Sequence, residues 1–331
     1  MTIEEGIALQ GNCDACVRVE ELFPWNFCTP SHHRCVHFPN VTIVGVGLLG
    51  GSLGLALKRR GLATHVVGYV RREASVAECL EFGVVDDATM DLAEAVKDAD
   101  LIVLCTPLGQ MRPLCEQLLP ALKKGVVVTD VGSVKGSVVA EIEPLIATRG
   151  GIFIGSHPMA GSEQTGPGAA RENLFERAVC ITTPTERTPD DKLQMLEALW
   201  RAVGCRVIQL TPDLHDNFTS RCSHLPHIVA AELANYVLSP AHPAEQGELC
   251  STGFRDTTRI AAGSPEMWRD IVVGNRKHLL RVLGVFIEDL EEFRLALERG
   301  DIEAVVDFFE TAKQRRDQWH EKFKETRNSE S

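Results

Sequence analysis

Residues 41–54, which read VTIVGVGLLGGSLG, constrain this chain more than any other stretch. A short β-branched run leads into Gly45-x-Gly47-x-x-Gly50, and a helical pattern follows as far as Arg60 and Gly61. Strand, tight glycine turn and helix N-terminus, in that order, make up a dinucleotide-binding fingerprint. Gly45 permits the turn, Gly47 lets the backbone approach a pyrophosphate, and Gly50 lets helix and strand pack closely. Leu48 and Leu49 complete the turn, at the positive end of the helix dipole. The competing reading is a glycine-rich turn in some other sheet, with no dinucleotide.

The alternation continues as far as residue 210. Strand-like runs at 65–70, 100–105, 126–130, 152–155, 177–182 and 205–210 are separated by helical patterns at 73–82, 90–97, 108–121, 136–147 and 189–203. Continuous apolar runs between helices belong to strands buried on both faces, so a Rossmann-type, doubly wound and mainly parallel sheet is expected. After Thr211-Pro212 the strands stop. Helices are expected over 213–238, 244–262, 264–296 and 301–323, making the second part all-α. These helices carry more apolar surface than one small bundle needs, which points to a homodimer. The expected division is an extension at 1–38, a dinucleotide domain at 39–210, a helical substrate and dimerisation domain at 211–323, and a tail at 324–331.

The extension differs in kind. It holds Cys13, Cys16, Cys28 and Cys35 with His32, His33 and His37, and lacks periodic apolar residues. Cys13-x-x-Cys16 has metal-ligand spacing, but Cys28 and Cys35 are too far apart for a second knuckle, so a disordered extension and no metal is the expectation. The first ten residues carry two Glu and no Lys or Arg, and do not read as a targeting peptide. No apolar run reaches the ~18–20 residues of a membrane span. The net charge of -12 argues against nucleic acid or an anionic membrane as partner. Several of the 11 Cys lie inside apolar elements, which suits reduced thiols and a cytoplasmic protein.

Cofactor choice turns on the end of the second strand. An NAD site usually has an acidic residue there, about 20 residues past the glycines. Here Val70 is followed by Arg71 and Arg72, which suit a 2′-phosphate, so NADP is favoured over NAD. Thr106-Pro107 ends the 100–105 strand where a ligand would lie. Ser133, in the DVGSVK stretch at 130–135, is placed to hydrogen-bond a ligand, to cap the next helix, or to do both. His157, held extended before Pro158, is the best candidate for a general base; a buried structural imidazole is the alternative. An unshifted imidazole would give an acid limb at about pH 6–7. His215-Asp216, His224 and His227 lie near the interdomain edge without a zinc motif. His224 and His227 are three apart and suit an anion or hydroxyl contact. Arg255 and Arg259, four apart, suggest a carboxylate clamp, or else ion pairs with Asp256 or Asp270.

Taken together these stretches resemble the prephenate dehydrogenase family of tyrosine biosynthesis. The resemblance runs over about 39–323, through GVGLLGGSLG at 45–54, CTP at 105–107, DVGSVK at 130–135, SHPMAGSE at 156–163, SHLPH at 223–227, GFRDTTRIA at 253–261 and MWRDI at 267–271. It implies NAD(P)-dependent oxidative decarboxylation of prephenate to 4-hydroxyphenylpyruvate. By the same resemblance His157 is the catalytic His and Ser133 the partner of the C4 hydroxyl. Arg259 would bind the ring carboxylate, with Arg255, His227 and His224 holding the substrate and Glu163 at the cleft entrance. Val70 departs from the family pattern, and Arg255 stands where some members have Lys. Arogenate dehydrogenase, and a dinucleotide-binding redox sensor without chemistry, are the competing readings.

Overall fold

The computed structural model describes residues 36–162 and 164–329. The CxxC-bearing extension, apart from its last residues, and Glu163 lie outside them. The described residues form one compact unit. Its first part runs β1 (Phe38–Val44), α1 (Leu48–Arg59), β2 (Ala63–Tyr69), α2 (Glu73–Glu81), β3 (Asp87–Thr89), α3 (Leu92–Val96), β4 (Leu101–Leu104), α4 (Leu108–Leu118), β5 (Val127–Asp130), α5 (Gly136–Ala147), β6 (Ile152–Pro158), β7 (Val179–Thr183), α6 (Asp190–Ala202) and β8 (Arg206–Gln209).

The eight strands form one sheet in the order β3-β2-β1-β4-β5-β6-β7-β8. All pairings are parallel except β6 with β7. Both faces are covered because the central strands are apolar along their length. In β4, Leu101 and Val103 enter one core with Leu53, Leu57, Leu196 and Trp200, while Ile102 and Leu104 enter the other with Met111, Leu118 and Ile142. Alternate side chains of a strand point to opposite faces, so an unbroken apolar run needs a core on each. Strand order reverses between β1 and β4, which lie side by side, and a ligand crevice opens beyond the C-terminal ends of such strands. The three-residue β3 escaped sequence reading because Asp87-Ala88-Thr89 is too short and polar to show a strand pattern.

The second part contains α7 (Pro212–Thr219), α8 (Leu225–Val237), α9 (Glu245–Glu248), α10 (Thr252–Thr258), α11 (Pro265–Gly274), α12 (Arg276–Arg299) and α13 (Ile302–Ser329). Thr211 and Ser264 cap α7 and α11 by accepting from Leu214 N and Met267 N, each with Pro at the helix start. The single helix expected over 213–238 is interrupted by a π-turn at Ser220–His224. Pro226 has no N–H to give and crowds the carbonyl four residues back, so the ladder widens ahead of it. The single helix expected over 264–296 breaks at Asn275 (φ -106, ψ 26). The second piece then runs on to Gly300, whose left-handed φ of 64 ends it. Along α12 and α13, Leu280, Ile287, Leu297, Ile302, Val306 and Phe309 are all more than half exposed in the single chain.

Candidate active site

The glycine turn meets its steric demands. Gly45 has φ +96, and a Cβ on it would lie 2.7 Å from Thr106 Cγ2. A Cβ on Gly50 would lie 2.4 Å from the Gly45 carbonyl, whereas Gly47 has nothing within 4 Å. The N-terminus of α1, which begins with Leu48 and Leu49, has no side-chain cap and no acidic residue in its first turn. Its free N–H groups and dipole remain open to an anion. Opposite, the hydroxyl of Thr106 is buried without a hydrogen-bond partner, just before Pro107 caps α4. An uncapped helix end, an open glycine face and an orphaned hydroxyl fit a dinucleotide. Val70 is buried, while Arg71 and Arg72 are exposed just past β2.

His157 lies near the end of β6 and is only 6% exposed. Its Nδ1 is 2.9 Å from His215 Nε2, and His215 Nδ1 is 2.8 Å from Asp216 Oδ1. This chain fixes the protons. A carboxylate accepts, so His215 carries its hydrogen on Nδ1 and accepts at Nε2. His157 therefore donates from Nδ1, which leaves the lone pair of its Nε2 free. Burial pushes His157 well below the usual imidazole range, with His215, Lys135 and His224 adding to the effect. Burial also lowers His215, against the pull of Asp216. The unshifted imidazole assumed from the sequence is thus replaced by one whose pKa is lowered by burial.

Asp216 has a second task. Its Oδ1 and Oδ2 accept the N–H groups of Lys135 and Gly136, each at 2.8 Å, and so cap α5 from the helical part. The capping alternative for Ser133 is thereby overturned: α5 begins past it, and no adjoining side chain caps that helix. Ser133 lies in the turn after β5, half-buried.

His224 is buried at the end of the π-turn. Its Nδ1 faces Asn275 Nδ2 at 3.1 Å, and that amide also donates to the Asp216 carbonyl at 2.8 Å. Nδ1 is thus the acceptor, which leaves an N–H on Nε2, buried without a partner. Burial lowers the His224 pKa to about 4. His227 stacks on Trp268 at 3.9 Å between ring centroids, and His224 meets the same indole edge-on at 6.2 Å. Asn275 went unnoticed in the sequence; the only signal was a polar residue inside an apolar helical pattern.

Family models match residues 53–209 as a prephenate dehydrogenase nucleotide-binding domain and 211–314 as a prephenate dehydrogenase dimerization domain. The chain is 35% identical over 283 residues to a prephenate dehydrogenase of Bacillus subtilis, spanning 84% of this chain and 75% of that one. The chain belongs to the prephenate dehydrogenase family. It resembles the A. aeolicus prephenate dehydrogenase structure, solved with hydroxyphenyl propionate and NAD+, at TM-score 0.80 and 32% identity, covering 86% of this chain and 99% of that one. Synechocystis arogenate dehydrogenase follows at TM-score 0.73 and 31% identity, covering 85% and 99%.

As a member of this family the chain is an NAD(P)-dependent oxidoreductase, and its exposed apolar α12 and α13 fall mostly within the matched dimerization domain. Arg255 and Arg259 are not drawn into the His157 cluster. Both are exposed, with Arg255 Nε 3.7 Å from Asp256 Oδ1 and Arg259 at the start of a 3-10 turn. Asp270, the other acid weighed for them, pairs with Arg269 and accepts the Gly109 N–H at 3.2 Å, near the start of α4.

Proposed function

We propose that this chain oxidises and decarboxylates prephenate to 4-hydroxyphenylpyruvate, with His157 as general base. The hydrogen-bond chain Asp216–His215–His157 carries this reading, because it leaves one basic nitrogen free beside the crevice. Prephenate has a hydroxyl at C4 and two carboxylates. His157 Nε2 takes the hydroxyl proton, and Ser133 holds that oxygen. When bound, the dinucleotide supplies the hydride acceptor. Loss of the ring carboxylate as carbon dioxide then makes the ring aromatic. His215 stabilises the imidazolium that forms, and Asp216 keeps His215 in the needed tautomer. The unpartnered Nε2–H of His224 suits a substrate oxygen, with His227 beside it against Trp268. Arg259 and Arg255 would reach a carboxylate once a second copy completes a homodimer through α12 and α13.

Residues 39–210 serve as the dinucleotide half and 211–323 as the substrate half. Arg71 and Arg72 favour NADP, and the reduced thiols suit the cytoplasm. Assays crossing prephenate and arogenate with NADP and NAD test these choices. Release of carbon dioxide from prephenate is expected, and a His157→Asn variant should lose about 10²–10⁴-fold in kcat. An equally fast variant removes His157 as the base, and a parent without turnover favours the sensor. Since the Synechocystis relative is an arogenate dehydrogenase, arogenate is the second substrate reading. Equal or faster turnover of arogenate would make it the better one.

A further inference from the structure

Asp130 closes β5 with a carboxylate that is wholly buried. Its Oδ1 accepts the Ser156 N–H at 3.1 Å, and its Oδ2 accepts the Gly132 N–H at 2.8 Å. Ser156 immediately precedes His157, and Gly132 immediately precedes Ser133. The hydroxyl of Ser156 is fixed as well, donating to the Asp130 carbonyl at 2.6 Å and lying 2.9 Å from the Thr129 hydroxyl. Asp130 Oδ2 also pairs with the ammonium of Lys135, a side chain with no exposure at all. The backbone N–H of Lys135 meets Asp216 at the same time. Gly155 makes room for the lysine stem, since a Cβ there would lie 3.2 Å from Lys135 Cδ and 2.5 Å from Thr183 Oγ1.

We propose that the buried Asp130–Lys135 ion pair is the positioning element of this site. It registers the Ser133 turn against the His157 strand and sets one fixed positive charge behind both imidazoles. The proposal rests on the dehydrogenase reading above. A buried charge that only braced the fold would need no link to these particular neighbours. This pair instead bonds the residue before each of the two groups assigned to the C4 hydroxyl.

The surroundings of His157 give the charge its effect. His215 faces it from α7, Lys135 from the start of α5 and His224 from the π-turn, while Asp216 and Asp130 act on the adjoining His215. Cys180 faces it from β7, and burial raises that thiol well above its usual range, so it stays neutral. Lys135 is the one cation in this set, and it disfavours the imidazolium at both His157 and His215. Removing it lets His157 protonate at higher pH, so the acid limb of the rate must move up. The Asp130 charge left behind pushes the same way at His215.

The test compares pH–rate profiles of the full chain and of Lys135→Met with prephenate and dinucleotide, alongside histidine NMR titration. The expected result is an acid limb about one pH unit higher, with kcat down about 10–100-fold from lost register and KM changed less. Lys135→Met leaves a buried carboxylate unpaired, so the neutral double variant Lys135→Met/Asp130→Asn is measured beside it, with dinucleotide binding as the check on folding. In the double variant the limb also moves up, by less, and kcat stays low. An unmoved acid limb in folded variants of an active parent, or an unchanged kcat, overturns the proposal. A parent that does not oxidise prephenate overturns the dehydrogenase reading instead.

Discussion

The N-termini of α1 and α5 both point toward the crevice, and the chain treats them in opposite ways. At α1 the capping position is Gly47, no side chain fills the end, and its N–H groups stay free. At α5 the end is filled by Asp216, brought in from a helix 80 residues later in the chain. A helix end carries about half a positive charge and unsatisfied donors, and it attracts whatever anion is supplied. The open end suits a diphosphate that comes and goes. The filled end uses the same attraction to hold a permanent carboxylate, which then orients His215 and, through it, His157. One physical device thus serves as a binding site in one place and as a structural tether in the other.

Removing the tether should do the most damage. Asp216→Ala orphans two backbone N–H groups and leaves His215 Nδ1 without its acceptor. His215 is then free to take the other tautomer, donate toward His157 and put the hydrogen of His157 on Nε2. A loss of about 10²–10⁴-fold in kcat is expected, with stability down by about 1–3 kcal/mol. Asp216→Asn keeps an oxygen for His215 and should fall between. Steady-state kinetics with denaturant unfolding checks both, and Asp216→Ala within tenfold of the parent breaks the tether reading.

Acid should act on the filled end and spare the open one. His157, His215 and His224 all sit below the ordinary imidazole range in the folded chain, with His224 at about 4. Above about pH 6.5 neither state is protonated at these sites and they cost nothing. As pH falls below that, the unfolded chain takes up protons that the folded chain refuses. Stability then drops, by up to about 1.4 kcal/mol per pH unit for each His, down to the folded value of that group. Urea unfolding between pH 7 and 4 measures this. A His224→Gln variant should flatten the slope, and an unchanged slope sinks the assignment.

The open end was the legible one. Its glycines, β-branched strand and helix pattern are all local, within 14 consecutive residues. The α5 end is non-local. Ser133 is a good capping residue by type, and nothing near it says that Asp216 takes the task instead. His215 and Asp216 stood out as a pair, yet their roles came only with the distances to His157 and Lys135. A buried Lys is rare, and nothing in the DVGSVK stretch marks Lys135 as one. The break at Asn275 was hidden for a related reason. Its amide is spent on Asp216 and His224, in another segment, so the sequence shows only one polar residue in a continuing helical period.

Turning the open end into a filled one sharpens the contrast directly. Gly47 has free space where a Cβ would go, and its φ of -102 suits any L-residue, so Gly47→Asp should fold. Its carboxylate would cap α1 and gain roughly a few tenths of a kcal/mol in the unliganded chain. It would also repel a diphosphate at close range, weakening dinucleotide binding by about tenfold or more. Calorimetry with NADP and NAD, beside thermal unfolding, reads both signs at once. Binding as tight as in the parent would mean that α1 does not hold the diphosphate.

The smallest effect tests a third helix end. Asp270 reaches from α11 to the Gly109 N–H at the start of α4, at 3.2 Å, and is also held by Arg269. This end resembles that of α5 in taking a carboxylate from the helical part, but its acid touches no imidazole. If orientation of His215 is what makes Asp216 matter, Asp270→Ala should cost only its cap and a surface ion pair. That is about 0.5–2 kcal/mol for the cap and at most about 1 kcal/mol for the pair, with kcat within about threefold of the parent. A kcat loss approaching that of Asp216→Ala would show that any link between the sheet and the helical part is enough. The contrast between a tether that positions a base and one that only joins two parts would then fail.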